Sequence, residues 1–600
     1  MDKQKSEHAI LGINVSHNAS AALMVENEIV ACFQEERLTN KKSFFGYPKK
    51  SIDCCLNYAN DLNTVIKKAV FTTKQLPLFA LKFPIGHFFN IEDFINFYGE
   101  NYYGKKLSGL STKNYLKYLE KDKRNKIDLY LPIKRIDRKS YFNFNKTVEI
   151  KKKYFKKQTN NKIEDIKFLD HHSCHVAYAF YSAKKRLKNS AIVTLDSEGD
   201  GLNQTVWISD DKYNIRKISE SSQCDIARIY KLTTLALKMK PDEHEYKVMG
   251  MAPYAKNSFS QNVFNKTYKN LLKVSGTNIK HYKRPKDLFK YILNMTNGER
   301  FDNIAGGVQI FVEEIVKKLF LNIHKKYKVK NFYLSGGVSM NIKMNKILKD
   351  LKFVKNLIVQ PSGGDESLSM GGCFLTQKKY SKPINNIYLG RDLFDGYSEK
   401  KFLKVLRKNK NLKLIKNFSN AKVAKLLSSG NIIAVARGRE EFGARALGNR
   451  SILADPSNVD AIQIINDSIK NRDFWMPFAI TIMDKYQKQY LINNKNNISE
   501  YMTIGFDSNI NKYKNIIAGT HRYDKSVRPQ ILTRKSNENY YSLIKNFYKY
   551  KKIPALLNTS LNLHGYPLAS TIKEVLSTFI NSKLKYLYVN DYYLIVKKKI

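Results

Sequence analysis

The sequence is short of cysteine, of acid and of long apolar runs, and each shortage removes a class of function. Its six cysteines (Cys32, Cys54, Cys55, Cys174, Cys224 and Cys373) are scattered with no CxxC spacing, so a zinc ribbon is excluded and reduced thiols are expected. No stretch reaches the ~20 apolar residues that cross a bilayer. The opening MDKQKSEHAI lacks the apolar core of a signal peptide, which predicts a cytoplasmic protein. Acids number 53 against 104 bases, leaving a net charge of +51. Such an excess ordinarily points to nucleic acid. Here it is mostly lysine spread along the whole chain amid Asn, Ile, Tyr and Phe, all residues with A/T-rich codons, and no RNP-like motif, zinc finger or arginine-rich tract accompanies it. Nucleic acid is therefore not the expected partner, although the field favours small anions. The densest run, KTVEIKKKYFKKQTNNK from Lys146, reads as a solvated helix or loop face.

A chain of 600 residues exceeds what one core serves, so at least two domains are expected. AILGINVSHNASAALMVENEIVACFQEER reads as three strands separated by a Ser/Asn-rich turn and a turn at Glu26-Asn27. SAIVTLDSEGDGLNQTVWISDDKYNIRKISE, from Ser190, repeats that layout with an acidic Gly-rich turn, which predicts a duplicated α/β domain. Residues 60–160, between the two units, are lysine- and aromatic-rich and read as a mostly helical insertion. GENYYGKK within it is not a Walker loop, because Lys106 stands where a magnesium-holding hydroxyl belongs. Helices are expected around Arg228 to Lys240 and Val308 to Lys326, and strand–turn–helix units at NFYLSGGVSMNIKMNKIL and NLIVQPSGGDESLSMGGCFL. Periodicity lapses from Gln377 to Asn386, around Pro383, giving a first domain over 8–380 and a second over 387–600.

Gly-rich turns between strand and helix, at Gly336-Gly337 and Gly363-Gly364, suit phosphate, since free amides at a helix start face the anion. His171 and His175, in DHHSCHVAYAFYSA, lie one helical turn apart, the spacing of two imidazoles on one metal. Alone they read as structural histidines. Asp196 and Asp365, each following an expected strand, add the carboxylates that would suit iron, manganese or zinc. For Asp365 a helix-capping role stays open. HEYKVM, from His244, has Val248 where a zincin needs its second histidine, which excludes that protease chemistry; Glu245 and Lys247 read equally as a surface ion pair or as site residues. In the second domain Arg437, Arg439, Arg445 and Arg450 sit among glycines, with Lys470 and Arg472 downstream and Arg528 beyond. A planar guanidinium fork in a lysine-rich chain marks a buried anion site.

GINVSHNASAAL, EERLTNKKSFFGYP, DHHSCHVAYAFY, DEHEYKVMGMAPYA, LSGGVSMN, EFGARALGNRSILADP, IKNRDFWMPFA, THRYDKSVRPQ and LLNTSLNLHGYPL together resemble the O-carbamoyltransferases that modify nodulation factors and antibiotics, among them the tobramycin and cephamycin enzymes. The resemblance implies an α/β fold with a duplicated actin/sugar-kinase-like first domain, as in the tRNA threonylcarbamoyl transferase, and a YrdC-like second domain. It implies that the second domain makes carbamoyl adenylate from carbamoyl phosphate and ATP with magnesium, and that the first moves the carbamoyl group to a hydroxyl of a sugar, polysaccharide precursor or natural product.

By the same resemblance His171, His175, Asp196 and Asp365 would hold a metal, iron first with manganese or zinc as alternatives, Asp196 also counting as catalytic. Gly336 and Gly337 would line the nucleotide. His17 would be the base beside the acceptor, and Lys42 would meet the carbamoyl group or phosphate. Arg445, Lys470, Arg472, Arg528, Asn558 and Ser560 would hold carbamoyl phosphate or ATP. One departure stands out: Met476 occupies a place where many members carry arginine, so either Arg472 supplies that charge or phosphate binding is altered. A homodimer is expected. The competing reading is a tRNA-modifying or RNA-binding protein; fusion of both activities in one chain favours the first.

Overall fold

The computed structural model describes residues 9–125, 131, 137–497 and 499–598; His8, where the first domain is expected to open, and 126–130 and 132–136 of the insertion lie outside the described residues. The chain divides into two compact units, one of Met1–Glu35 with Ser43–Ile384, the other of Glu36–Lys42 with Asn385–Ile600. The short stretch Glu36–Lys42 thus belongs with the carboxyl-terminal body, an exchange that no motif announces.

In the first unit, strands β1 (Ala9–Asn14), β2 (Ser20–Val25), β3 (Glu28–Gln34), β4 (Ile66–Phe71) and β5 (Asp165–Phe168) form a sheet of order β3-β2-β1-β4-β5. β6 (Ser190–Gly199), β7 (Leu202–Ser209), β8 (Ile215–Ser221), β11 (Asn331–Ser335) and β12 (Asn356–Val359) form another, of order β12-β11-β6-β7-β8. A hairpin of β9 (Leu272–Ser275) and β10 (Asn278–His281) stands apart. Read from β8, the second sheet repeats the first in order and direction: two antiparallel pairings, then two parallel ones. The expected duplication is therefore present in topology. Glu26 (φ 47°) and Asn27 (φ 67°) make the tight β2–β3 turn, whose left-handed backbone matches strand twist.

The expected helices appear as Ile226–Ala236 and Phe301–Tyr327, the latter starting earlier than its periodicity suggested. The reading of 60–160 as mostly helical needs correcting at β4. IKKAVF lies within it and pairs in parallel with both β1 and β5, because its buried Ala-Val-Phe end fills a gap that only a strand completes. GENYYGKK is a helical turn with Tyr102 buried, not a phosphate loop. The lysine run forms the helix Phe144–Gln158, whose lysines are mostly solvated as expected, whereas Thr147, Lys151 and Phe155 are fully buried.

Small residues in SLSMGGCFL let the helix Leu368–Gln377 approach closely. A Cβ on Gly371 would run into the Cys174 carbonyl, and one on Gly12 into the Ser369 carbonyl. This packing seats the histidine-bearing helix His171–Tyr181 against the strand ends.

The second unit is built on an eight-stranded mixed sheet of order β13-β22-β21-β14-β15-β20-β16-β19. Its strands are β13 (Leu412–Ile415), β14 (Ile433–Ala436), β15 (Arg450–Ala454), β16 (Ala479–Met483), β19 (Pro529–Leu532), β20 (Ala555–Ser560), β21 (Tyr586–Val589) and β22 (Tyr593–Lys597). The short pair β17 (Phe506–Asp507) and β18 (Ser526–Val527) flanks them. Ile452, Leu557, Val575, Phe579 and Leu587 are among the apolar side chains of its core. Among the described residues no helix is long and apolar enough to cross a membrane.

Candidate functional site

Asp170 caps the helix His171–Tyr181, its side chain accepting from Ser173 N at 2.8 Å. The first turn then points His171 and His175 at two strand ends. His175 Nε2 lies 3.0 Å from Asp196 Oδ2 and 3.6 Å from Asp365 Oδ1; His171 Nε2 lies 3.7 and 3.8 Å from the same two oxygens. All four ligand atoms fall within 4.8 Å of one another. Asp196 sits near the end of β6, and Asp365 follows the Gly-rich turn after β12. The sequence thus anticipated a constellation that spans almost two hundred residues. Asp365 does not cap its short helix; its carboxylate faces the imidazoles and accepts from Ser16 Oγ at 3.2 Å.

The donor set fits a metal ion. Nε2 of both His171 and His175 is buried without a hydrogen-bond partner. Burial opposes a charged imidazole, yet Asp196 and Asp365 raise His175 to about 9, and His171 is raised as well. Burial likewise works against the Asp196 carboxylate, but the two rings hold it well below the usual range. Acids that draw protons onto buried imidazoles are a site built for positive charge, and a metal cation is what those same donors accept instead. Ser335 Oγ stands 3.3 Å from His175 Nδ1, the outer partner that fixes a ligating ring.

His172, between them, serves the fold. It contacts Thr194 Oγ1 (2.8 Å) and Leu202 O (3.0 Å), and burial together with the charges of His171 and His175 pulls it down to about 4. The unfolded chain takes up a proton near pH 6.5 and the native ring does not, so stability is lost as pH falls from 6.5 towards 4. Urea unfolding across that window should show a steeper loss in the wild type than in His172→Gln.

Asn14 Nδ2 donates to His17 O (3.1 Å) and Asp365 O (2.9 Å), tying the first turn to the second aspartate. His17 is half-buried, in the neighbourhood of Asp242 and Glu366. Glu245 is no surface ion pair: burial, then Asp242, raises it to about 7, and its carboxylate accepts from Asp242 N at 2.8 Å. Gly336 (φ 89°) must be glycine, since a Cβ there would strike the Leu195 backbone. Gly337 N points to Asp196 Oδ2 at 3.3 Å, so this amide faces the acidic cluster.

The second unit holds a different centre. Of the four arginines in ARGREEFGARALGNR, three are committed to the fold. Arg437 pairs with Asp591 at 2.8 Å, Arg439 donates to Gly390 O at 2.9 Å, and buried Arg450 donates to Ser570 O at 2.7 Å. Arg445 instead joins Arg472 beside Arg528. Burial, then Arg445 and Arg472, depress Arg528; burial, then Arg472 and Lys42, depress Lys470. Lys470 Nζ donates to Asn562 Oδ1 (2.6 Å) and Ser560 Oγ (3.1 Å), while Arg528 Nε and Asn558 Oδ1 are buried without a hydrogen-bond partner. Buried like charges are costly without a counter-charge, and an anion would supply one. Arg472 lies 5.0 Å over the Phe478 ring, close to the Met476 position, so a cation does stand in that neighbourhood.

Residues 9–374 match the family model of the carbamoyltransferase N-terminus, and 424–597 that of the carbamoyltransferase C-terminus. The chain belongs to the carbamoyltransferase family. This carbamoyltransferase is 29% identical to the uncharacterised protein MJ1051 of Methanocaldococcus jannaschii, over 97% of this chain and 99% of that one. It is 25% identical to nodulation protein NolO of Bradyrhizobium diazoefficiens, over 72% of this chain and 79% of that one. A solved full-length HypF overlays at TM-score 0.32 and 12% identity, covering 63% of this chain and 56% of that one, a likeness too slight to bear on function. Supporting residues that the sequence did not single out are Ser16, Ser335 and Asn562. The two serines lie beside quoted turns, and Asn562 follows Ser560 in SLN; their signal was proximity alone.

Proposed function

We propose that the carbamoyltransferase is an ATP-dependent O-carbamoyltransferase whose two units divide the work. In the second, of YrdC-like type, Arg445, Lys470, Arg472, Arg528, Asn558 and Ser560, with Lys42, hold carbamoyl phosphate and the ATP phosphates. Water releases phosphate from carbamoyl phosphate; the carbamate oxygen attacks the α-phosphorus of ATP and pyrophosphate leaves. The resulting carbamoyl adenylate carries a good leaving group that carbamate lacks.

In the first unit, of actin/sugar-kinase-like type, an acceptor hydroxyl attacks the carbamoyl carbon and AMP departs. His17 accepts the hydroxyl proton, a role suited to an imidazole near neutral pH. Gly336 lines the nucleotide, leaving room that a side chain would fill. His171, His175, Asp196 and Asp365 hold a metal, iron by family likeness, that when bound supplies positive charge beside the departing phosphate. The acceptor is a hydroxyl of a sugar, a polysaccharide precursor or a related natural product.

One observation carries the reading: Arg445, Lys470, Arg472 and Arg528 gather as a cation cluster in which burial and like charge depress Arg528 and Lys470, and they share a chain with a two-histidine, two-aspartate centre. Incubating purified protein with ATP and carbamoyl phosphate should yield carbamoyl adenylate by mass spectrometry, with stoichiometric pyrophosphate. Phosphate release with no adenylate would refute it.

A further inference from the structure

Asp200 and Lys151 are charged groups that neither centre uses. Asp200 stands in the β6–β7 turn with a left-handed backbone (φ 51°). Both of its carboxylate oxygens are taken by main-chain amides: Oδ1 by Lys74 N (2.9 Å) and Gln75 N (2.6 Å), Oδ2 by His171 N (2.9 Å). A carboxylate so occupied serves as neither ligand nor base. It joins the stretch after β4 to the first residue of the histidine helix, and it satisfies a helix-end donor that would otherwise lack a partner.

His171 needs such support more than His175 does. His175 has Ser335 on its Nδ1, whereas His171 Nδ1 has no hydrogen-bond partner among the described residues. Its placement rests on its main chain and on the space around its ring. Gly199, next to Asp200, provides that space, since a Cβ there would overlap the imidazole. Lys151 lies behind. It is fully buried, donates to Thr73 O at 3.2 Å, and sits 5.1 Å from the Phe168 ring; the charge acting on it is that of Asp200.

We propose that Asp200 is a positioning residue for the metal ligand His171, and that Lys151, by holding the Thr73 carbonyl next to the Lys74 amide that Asp200 accepts from, joins the helix Phe144–Gln158 of the insertion mechanically to the metal centre. This rests on the metal reading of the four-residue cluster but on no step of the reaction.

The test is titration of metal-stripped protein with Co(II), following d–d absorption, for wild type, Asp200→Asn, Asp200→Ala and Lys151→Met, with thermal melting alongside. Asp200→Ala should weaken Co(II) binding about 10- to 100-fold, as loss of an outer partner does, and should change the spectral shape as the ring moves. Asp200→Asn, which keeps one acceptor oxygen, should restore part of the affinity, and Lys151→Met should fall between. If Asp200→Ala does not fold, the other two variants decide. Wild-type Co(II) affinity and spectrum in folded variants, or a wild type that takes no Co(II), overturns the proposal. A wild type that binds Co(II) in this graded way but makes no carbamoyl adenylate sinks the proposed function and leaves the positioning role standing.

Discussion

Replacing Arg528 with methionine should sharply reduce carbamoyl adenylate formation and, at the same time, raise the melting temperature. The two effects share one cause. Burial depresses the guanidinium first, and its neighbours Arg445 and Arg472 push in the same direction. Arg528 Nε is buried with no hydrogen bond. A cation in that position destabilises the ligand-free fold, so an apolar side chain of similar length relieves it. A relief of ~1 kcal/mol corresponds to roughly 2–4 °C for a body of this size. The anion loses a charge-assisted contact, and adenylate formation should fall by about 10²–10³-fold or more. Inorganic phosphate makes the complementary check. An anion that binds only the native state stabilises it by RT ln(1 + [L]/Kd), about 2.7 kcal/mol at a hundredfold excess over Kd. Wild type should therefore melt markedly later in phosphate, and Arg528→Met should barely respond. A variant both less stable and fully active would mean that the cluster is no anion site.

His175→Ala should do the reverse, leaving adenylate formation intact while transfer to an acceptor drops by at least about 10²-fold and bound metal is lost. Its Nε2 is the closest of the imidazole nitrogens to Asp196, at 3.0 Å, and its ring is the one braced by Ser335. Removing it strands a buried carboxylate with a single nearby imidazole, a change that costs about 3–5 kcal/mol where a buried pair is broken. Melting should accordingly fall, in contrast to Arg528→Met. Metal content by elemental analysis, adenylate by mass spectrometry and acceptor carbamoylation, measured on one preparation, separate these results. Loss of adenylate in His175→Ala would show that the two centres are not independent in the way proposed.

Much of this was legible before any coordinates. The duplicated strand layout could be read from alternation and turn residues, because each strand buries one stretch of apolar side chains and each turn needs Asn, Asp or Gly. The i, i+4 histidines and the two Gly-flanked aspartates could be read because metal chemistry restricts residue type and strand ends restrict place. β4 was missed because a short strand with Lys67 and Lys68 at its start carries no clean period. Lys151 was misjudged for a physical reason as well: one lysine of a lysine-rich helix turns inward beside Thr147 and Phe155, and composition cannot say which. Within ARGREEFGARALGNR the sequence marked arginines as a group, whereas only partners distant in the chain, such as Asp591 and Ser570, sort the structural ones from Arg445.

The stretch Glu36–Lys42 sits in the body formed by Asn385–Ile600. Arg37 there is buried, donates to the carbonyls of Glu441 and Gly443, and lies 3.4 Å from Glu440, just ahead of Arg445. On the ribosome this stretch emerges hundreds of residues before its destination exists. The carboxyl-terminal body must close around a segment translated long before it, through a loop whose entropy cost grows only with the logarithm of its length. Ordering of the loop that bears Arg445 is thereby a late event in biogenesis, and a carboxyl-terminal fragment made alone would have to fold without Arg37 or Lys42.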